Sequence, residues 1–190
     1  VLLILSFVLR YSFWNTERFF WVDEFSTTNQ ARLINKNGFD VFNLEFDSFE
    51  HHNVLTHFLV ASSFSLLGES EKSARLPFFL IGLLIPVLVY FLSDKLFKNK
   101  AISFSAGLLT VFSYWQITWS AQARGYVLQQ AFLIIALLLY LIAKKEKFKS
   151  IKSIALLVLV LLLGLLNHTT FILVIAGLIS HFFVFYFNLV

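Results

Sequence analysis

Long hydrophobic runs separated by short polar segments dominate this chain. Five of the runs predict membrane-spanning helices, at residues 76–93, 101–119, 126–143, 153–167 and 169–190, and a further run covers residues 1–13. Such runs favour a bilayer, because a helix crosses the hydrocarbon core with about 20 apolar residues and satisfies its own backbone hydrogen bonds there. We therefore predict an all-α, polytopic transmembrane bundle of about six spans over residues 1–190.

The lysines predict how these spans are oriented. Two short loops are rich in lysine, one with Lys95, Lys98 and Lys100, the other with Lys144, Lys145, Lys147, Lys149 and Lys152. Basic loops stay on the cytoplasmic side, and two predicted spans separate these loops, so both are predicted to be cytoplasmic. Segment 14–75 contains nine of the eleven acidic residues and five basic ones, which predicts an extracytoplasmic first loop.

The apolar stretch at residues 54–68 is shorter than the others and contains His57 and several serines. If it crossed the membrane, the acidic segment before it and the lysine loop after residue 93 would lie on one side, against the charge pattern. We therefore predict a helix that lies at the outer face. This topology places the polar residues with chemical potential on that same face: Asp23, Glu24, His51, His52, Arg75, Arg124, Tyr126 and His168.

Composition agrees with a membrane protein and excludes several kinds of site. The mean hydropathy is +0.79, and 24 of the residues are Phe. There is no Cys, which excludes disulfides, thiolate nucleophiles and cysteine metal sites. The pI of 9.4 is explained by the topology-setting lysines, so no nucleic-acid partner is predicted. The chain contains no Met and begins and ends inside hydrophobic runs, so we expect it to be truncated at both ends.

The adjacent acids Asp23 and Glu24 follow the first hydrophobic run by about ten residues. Next comes a segment that could form an amphipathic helix beside the membrane. A carboxylate near the outer face could act as a general base for an acceptor hydroxyl or amine. The alternative is a solvated loop tip without catalytic function.

Two arginines are candidates for binding an anion. Arg75 lies directly before the Leu76-Pro77 start of a span, where a helix N-terminus and a guanidinium together favour an anion. Arg124 lies in a short outer turn with Gly125 and Tyr126, a position where basic residues are depleted, which is typical of a phosphate clamp. The alternatives are an interface anchor for Arg75 and a snorkelling side chain for Arg124.

The histidines give weaker signals. His51 and His52 are adjacent, so on a helix they would not face one metal ion, and interface residues or phosphate donors are the favoured interpretations. His168 lies at the next outer turn, inside an Asn-X-Thr sequence too close to the bilayer to favour glycosylation. A divalent metal is possible but not indicated, and no cofactor is predicted.

Three motifs in order resemble one known family. Asp23-Glu24, Arg75-Leu76-Pro77 and Arg124-Gly125-Tyr126 are similar to motifs in the N-terminal half of GT-C glycosyltransferases of the protein O-mannosyltransferase and aminoarabinose-transferase type. The bacterial Rgt-like and dolichyl-phosphate-mannose-protein mannosyltransferase-like branch is the most similar. The resemblance covers nearly the whole chain. Asn53-Val54 departs from it at a proline pair, and Gln129 departs from it where some relatives carry an acidic residue.

The resemblance implies an inverting hexosyl or pentosyl transferase in a bacterial plasma membrane, with its active site on the extracytoplasmic side. The implied donor is a polyprenyl-phosphate sugar, and the acceptor is a glycan, lipid or protein. Asp23 is then the base and Glu24 its support, while Arg75, Arg124, Tyr126 and His52 bind the donor phosphate and His51 and His168 are further candidates.

Two alternatives to an enzyme follow from the same residues. A transporter or flippase for an anionic lipid should carry ionisable residues within its spans, yet after residue 10 His181 is nearly alone there. A non-catalytic scaffold subunit would make the acidic pair and the arginines dispensable.

Overall fold

The computed structural model describes residues 1–16, 19–43, 50 and 52–187. Within these residues every regular element is helical, which confirms the predicted all-α class. The α-helices are α1 Leu2–Asn15, α2 Val22–Asn37, α3 Val54–Leu67, α4 Glu71–Phe97, α5 Lys100–Phe112, α6 Tyr114–Ser120, α7 Tyr126–Lys145, α8 Ile151–Asn167 and α9 Ile172–Phe187. Two 3-10 turns, Gly38–Asn43 and Thr169–Phe171, follow α2 and precede α9.

Among the described residues, α4 and α7 are long and apolar enough to cross a membrane by length and composition. The helices α1, α3, α5, α8 and α9 are apolar but shorter. Large apolar side chains remain exposed along the bundle, including Leu80 and Leu84 on α4, Leu109 on α5 and Leu159 on α8. This outward apolar surface is the arrangement expected of a helical membrane bundle.

The start of α4 shows why this helix is longer than the predicted span 76–93. Ser70 is its N-cap and accepts a hydrogen bond from the Ser73 backbone N–H at 3.0 Å. The helix therefore begins at Glu71, with Pro77 in its second turn. This early start places Arg75 inside the helix and on its buried side.

The predicted span 101–119 is wrong in one respect, because the chain leaves the helical conformation at Ser113 (φ −66°, ψ 116°). The break divides it into α5 and α6. The last carbonyls of a helix have no partner within that helix. Here the buried Arg10 of α1 donates to the carbonyl oxygens of Thr110 and Val111, at 3.4 and 3.5 Å, and so stabilises the break.

Two helices of the predicted first loop pack as a layer over the start of α4. Their shared core contains Ala31 and Ile34 of α2, Val60 and Phe64 of α3, and Phe78 of α4. The helical nature of both segments is thereby confirmed, while their position at a membrane surface remains a prediction. Gly38 and Gly68 end α2 and α3 at positive φ, of 59° and 80°, where a side chain would be strained.

The short helix α6 positions the turn that leads into α7. A Cβ atom on Gly82 of α4 would overlap the Cβ atom of Ser120, so only glycine allows α6 to pack this closely. The chain then turns through residues 121–125 and enters α7 at Tyr126. This close approach brings the turn, with Ala123 and Arg124, beside the start of α2.

Candidate active site

The two adjacent carboxylates of α2 have different surroundings. Both lie in the first turn of the helix, where side chains one residue apart point about 100° apart. Glu24 is fully buried, whereas the Asp23 side chain is 58% exposed. The predicted acidic pair therefore contributes one carboxylate to the interior and one to the surface of a cavity.

Glu24 binds Arg75 inside the protein. The Nε and Nη2 atoms of Arg75 donate to the two carboxylate oxygens of Glu24, at 2.9 and 3.1 Å. Glu24 also accepts from the backbone N–H of Ala123 at 2.8 Å and from that of Trp21 at 3.1 Å. Since a buried ion pair is stable only when its remaining hydrogen-bonding groups are satisfied, these contacts allow two charges to be buried together.

Arg75 has further contacts that hold it in this position. Its Nη2 atom donates to the Phe19 carbonyl oxygen at 3.3 Å, and its guanidinium lies 5.2 Å from the centre of the Phe20 ring. Its side chain is 1% exposed. The structure does not place Arg75 on the cavity that Asp23 lines.

A cavity of about 350 Å³ lies between the starts of α2, α3 and α7 and the turn after α8. Five of the residues proposed from the sequence line it together: Asp23, His52, Arg124, Tyr126 and His168. They come from segments up to 145 residues apart in the chain, so the fold brings them to one place. Glu24 and Arg75 lie behind this wall, and His51 is outside the described residues.

Arg124 is the cation at the mouth of this cavity. Its Nη2 atom forms an ion pair with Asp23 Oδ2 and donates to the Tyr126 hydroxyl at 2.9 Å. Its guanidinium lies over two aromatic rings, 5.2 Å from the centre of Trp119 and 4.6 Å from that of Tyr126. Cation–π contact with two rings restricts the guanidinium, which prepares it to bind an anion.

Gly125 is required where the turn approaches α3 and α8. A Cβ atom at this position would lie 2.7 Å from the Thr56 hydroxyl and 3.2 Å from Asn167 Oδ1. Asn167, the asparagine of the Asn-X-Thr sequence, is fully buried at the end of α8. Its side chain binds the turn, because Nδ2 donates to the Gly125 carbonyl oxygen at 3.1 Å.

Thr170 defines the tautomer of His168, which lines the cavity. Its Nδ1 atom accepts from the backbone N–H of Thr170 at 3.2 Å and lies 2.8 Å from the Thr170 hydroxyl. A nitrogen that accepts from a backbone N–H carries no proton. The imidazole in this arrangement therefore has its proton on Nε2, where it can donate to a ligand.

Glu50 is a cavity residue that the sequence analysis missed. It accepts a hydrogen bond from the Ser26 hydroxyl at 2.6 Å, and its Oε2 atom lies 3.7 Å from His52 Nε2 and 3.8 Å from His57 Nε2. Burial lowers the pKa of His57 to about 4, a shift that the nearby Glu50 carboxylate only partly opposes. His57 is therefore a neutral neighbour of this carboxylate near pH 7.

Asn53 shows the effect of the departure from the proline pair. It has left-handed backbone angles (φ 58°, ψ 22°) at the entry to α3 and lines the cavity. Proline cannot adopt this conformation, because its ring holds φ near −65°. Asparagine is among the residues that tolerate the left-handed region best, so this chain enters α3 by a different turn.

Within the part of the chain that the structure describes, no group of three or more His, Asp or Glu side chains is placed to hold a metal ion.

Comparison with known proteins decides the family. A model of the dolichyl-phosphate-mannose-protein mannosyltransferase family matches residues 51–188. The chain belongs to this family. No curated protein and no solved structure matches it.

Membership makes the chain a GT-C mannosyltransferase-like membrane protein and assigns it glycosyltransferase activity in general. The family match contains Arg75, Arg124, Tyr126 and His168, and it begins after the acidic pair at residues 23–24.

Sequence reasoning assigned no site role to the other cavity residues of this mannosyltransferase family member. Besides Glu50 and Asn53, they are Ser26, Thr27, Thr56, Gln129 and Thr170, with Gly125 in the backbone turn. Ser26 and Thr27 follow the acidic pair by one helical turn, so the spacing i, i+3 and i, i+4 was a usable signal for them. Thr56 and Thr170 had no such signal, and Gln129 was marked only by its departure from the family pattern.

Proposed function

We propose that this protein transfers a sugar from a polyprenyl-phosphate-linked donor to an acceptor at the extracytoplasmic face of the membrane, with inversion at the anomeric carbon. The observation that carries the proposal is the meeting of Asp23, Arg124 and His168 at one cavity. Family membership supports a glycosyltransferase and in general implies a polyprenyl-phosphate sugar donor. The residues at the cavity support the finer assignment.

The proposed phosphate position is beside Arg124. Its guanidinium is held over Trp119 and Tyr126, and the described contacts use mainly one of its terminal nitrogens, Nη2. His168 Nε2 and the Tyr126 hydroxyl are further donors at the same cavity. A guanidinium matches two phosphate oxygens at once, which strengthens the contact and fixes the orientation of the ligand.

The lipid tail has a suitable apolar path on the same side of α7. Gln129 lines the polar cavity, and Leu133, Leu137 and Tyr140 follow it at offsets of four, eight and eleven residues, which keeps them on one side of the helix. These three residues line an apolar groove of about 370 Å³ between α4, α7 and α9. A polar cavity above an apolar groove suits a ligand with an anionic head and an isoprenoid tail.

The proposed reaction uses Asp23 as the base. The acceptor oxygen or nitrogen attacks the anomeric carbon, while the bond between that carbon and the phosphate oxygen breaks. The bonding electrons leave with the lipid phosphate, and the acceptor's proton moves to Asp23 Oδ2 or Oδ1. Arg124 stabilises the negative charge that develops on the leaving phosphate, the type of contact that lowers such barriers most.

In this mechanism Glu24 and Arg75 are positioning residues. The Glu24 carboxylate connects α2 to Arg75 of α4 and to the backbone of Ala123, one residue before Arg124. It therefore holds the base and the phosphate clamp at a fixed separation. This assigns Arg75 a different role from the phosphate contact expected from the sequence.

A transfer assay tests the proposed function. Membranes that contain the full-length protein are incubated with radiolabelled polyprenyl-phosphate sugars and a crude cell-envelope acceptor fraction, and product formation is followed. Asp23→Asn membranes are the matched control. Transfer with the wild type and its loss in the variant are expected; nucleotide-sugar use instead of lipid-phosphate sugars would overturn the donor assignment.

The proposed membrane side has its own test, made in full-length protein from which any Cys outside residues 1–190 has been replaced, since these residues contain none. Cysteines are introduced at the exposed positions Asp40 and Lys149, one variant each, and labelled in intact cells with an impermeant maleimide. We expect Asp40→Cys to react and Lys149→Cys to react only after permeabilisation. Labelling of both in intact cells would contradict an extracytoplasmic cavity.

A further inference from the structure

Asn167 connects three segments of the cavity wall through a single buried amide. Its Oδ1 atom accepts from the Thr56 hydroxyl at 2.8 Å, and its Nδ2 atom donates to the Gly125 carbonyl oxygen at 3.1 Å. The same Nδ2 atom donates to Gln129 Oε1 at 3.0 Å. A side chain from the end of α8 thus binds α3, the turn before α7 and the second turn of α7.

These contacts fix the orientation of the Gln129 amide. A backbone carbonyl can only accept, so the Asn167 atom that faces Gly125 must be the nitrogen. The Gln129 atom that faces this nitrogen must then be an acceptor, which is Oε1. The Nε2 group of Gln129 is therefore at the end of the amide that is directed away from Asn167. It donates no hydrogen bond to any other described residue.

Gln129 also occupies a particular place along the proposed ligand path. It lines the polar cavity with Arg124 and Tyr126, and it lies one turn before Leu133, where the apolar groove begins. In the proposed complex, a side chain between the cavity and the groove lies next to the point where the anionic head of the ligand joins its apolar tail. A neutral N–H donor fits this boundary, because a second full charge next to the groove would have a larger desolvation cost.

We propose that Gln129 Nε2, oriented by Asn167, donates a hydrogen bond to a phosphate oxygen of the lipid-linked ligand on the side of the phosphate next to its tail. Gln129 is thereby a binding residue that selects lipids ending in a phosphate over neutral lipid alcohols, and Asn167 is its positioning residue. This inference rests on the proposed function, since it needs a lipid phosphate at the cavity.

The test measures binding and not turnover. Purified full-length protein in detergent is titrated with polyprenyl phosphate and, separately, with the neutral polyprenol of equal length. Gln129→Met keeps the length of the side chain and removes the donor, so the Kd for polyprenyl phosphate should rise about tenfold. Gln129→Glu places a negative charge beside the phosphate and should raise the Kd further.

Gln130→Glu is the matched control, because it makes the same chemical change one residue along α7 and Gln130 does not line the cavity. Its Kd should equal that of the wild type, and the polyprenol Kd should be unchanged in every variant. Asn167→Ala should weaken phosphate binding less than Gln129→Glu, since the Gln129 amide then becomes free to rotate.

The outcomes separate the two levels of the proposal. If the wild type does not distinguish polyprenyl phosphate from polyprenol, the lipid-phosphate function itself is wrong. If the wild type does distinguish them and both Gln129 variants retain its Kd for the phosphate, the function stands and the role of Gln129 is overturned. A Gln130→Glu variant as weak as Gln129→Glu would also overturn it, by showing a general charge effect.

Discussion

Two acid–arginine pairs begin at adjacent carboxylates in the first turn of α2, and they differ in burial and in access to a ligand. Glu24 and Arg75 are 0% and 1% exposed and form two hydrogen bonds at 2.9 and 3.1 Å. Asp23 and Arg124 are 58% and 22% exposed and line the cavity. Neighbouring carboxylates in the sequence therefore enter one closed pair and one open pair.

The difference teaches how a shared motif can serve two purposes. A buried pair held by several hydrogen bonds cannot accept a ligand without large rearrangement, so it fixes the positions of α2, α4 and the turn before α7. An open pair has room for a ligand and exchanges its partner at low cost, since solvent screens the attraction between its members. Under the proposed function, architecture depends on the first pair and chemistry on the second.

The largest expected effect comes from breaking the closed pair. Arg75→Met leaves the Glu24 carboxylate buried without its cation, which should destabilise the protein by about 3–5 kcal/mol. We expect loss of the folded protein, measured as a lower midpoint of thermal unfolding in detergent and as aggregation on size exclusion. The double variant Glu24→Gln with Arg75→Met should recover part of the loss. A stable but inactive Arg75→Met protein would instead place Arg75 in the chemistry.

Removing the charge of Asp23 should affect activity and leave the fold intact. Asp23→Asn keeps the side-chain shape but cannot accept the acceptor's proton, so transfer should fall on the order of a hundredfold or more. The unfolding midpoint should change little, because exposed ion pairs contribute about 1 kcal/mol or less. Near-normal transfer by a folded Asp23→Asn protein would return the residue to a solvated surface role.

A smaller effect is expected when the cation of the open pair is changed in shape. Arg124→Lys retains the charge but loses the planar fork and the contact of the guanidinium with Trp119 and Tyr126, so it should recover part of the activity that Arg124→Ala loses. The measurement is kcat and KM for the lipid-linked donor, with a fall in kcat expected because the contact strengthens as charge develops on the leaving phosphate. Wild-type kinetics in Arg124→Lys would exclude a two-point phosphate contact.

The smallest effect should come from a third acid–arginine pair that serves as a reference. Arg32 Nε and Glu69 Oε2 lie 2.8 Å apart, with side chains 43% and 52% exposed and away from the cavity. Arg32→Ala should lower the free energy of unfolding by about 0.5 kcal/mol or less and leave transfer unchanged. A large effect of Arg32→Ala would show that solvent exposure does not determine how much each of these three pairs contributes to stability.

Much of the fold followed from hydrophobic length and from residues that end helices. The predicted segments at 54–68, 126–143 and 153–167 are helices in the structure, because long apolar runs bounded by polar turns have few alternatives. The break at Ser113 had no local signal of the usual kind, such as proline or glycine. It depends on Arg10, whose partners are about a hundred residues away, and contacts at that separation are not visible in a linear pattern.

The candidate site was partly predictable for a similar reason. Charged residues make up only 14% of this chain and histidine occurs five times, so Asp23, Arg124, His52 and His168 were identifiable as candidates, as was Tyr126 beside Arg124. All five line the cavity. The sequence could not distinguish Arg75 from Arg124, since each lies just before a predicted span and only the structure shows that Arg75 is buried inside α4. Neutral residues such as Gln129 and Asn167 gain their importance from three-dimensional contacts alone.

The arginine that stabilises the break after α5 has a consequence for how the protein is made. Arg10 is near the middle of α1, and an arginine at the centre of an inserting helix costs about 2.5–3.5 kcal/mol. The carbonyl oxygens that bind it belong to Thr110 and Val111, which leave the ribosome about a hundred residues later. If α1 spans the membrane as predicted from the sequence, it depends during synthesis on a partner that does not yet exist, and its secure insertion waits for the arrival of α5.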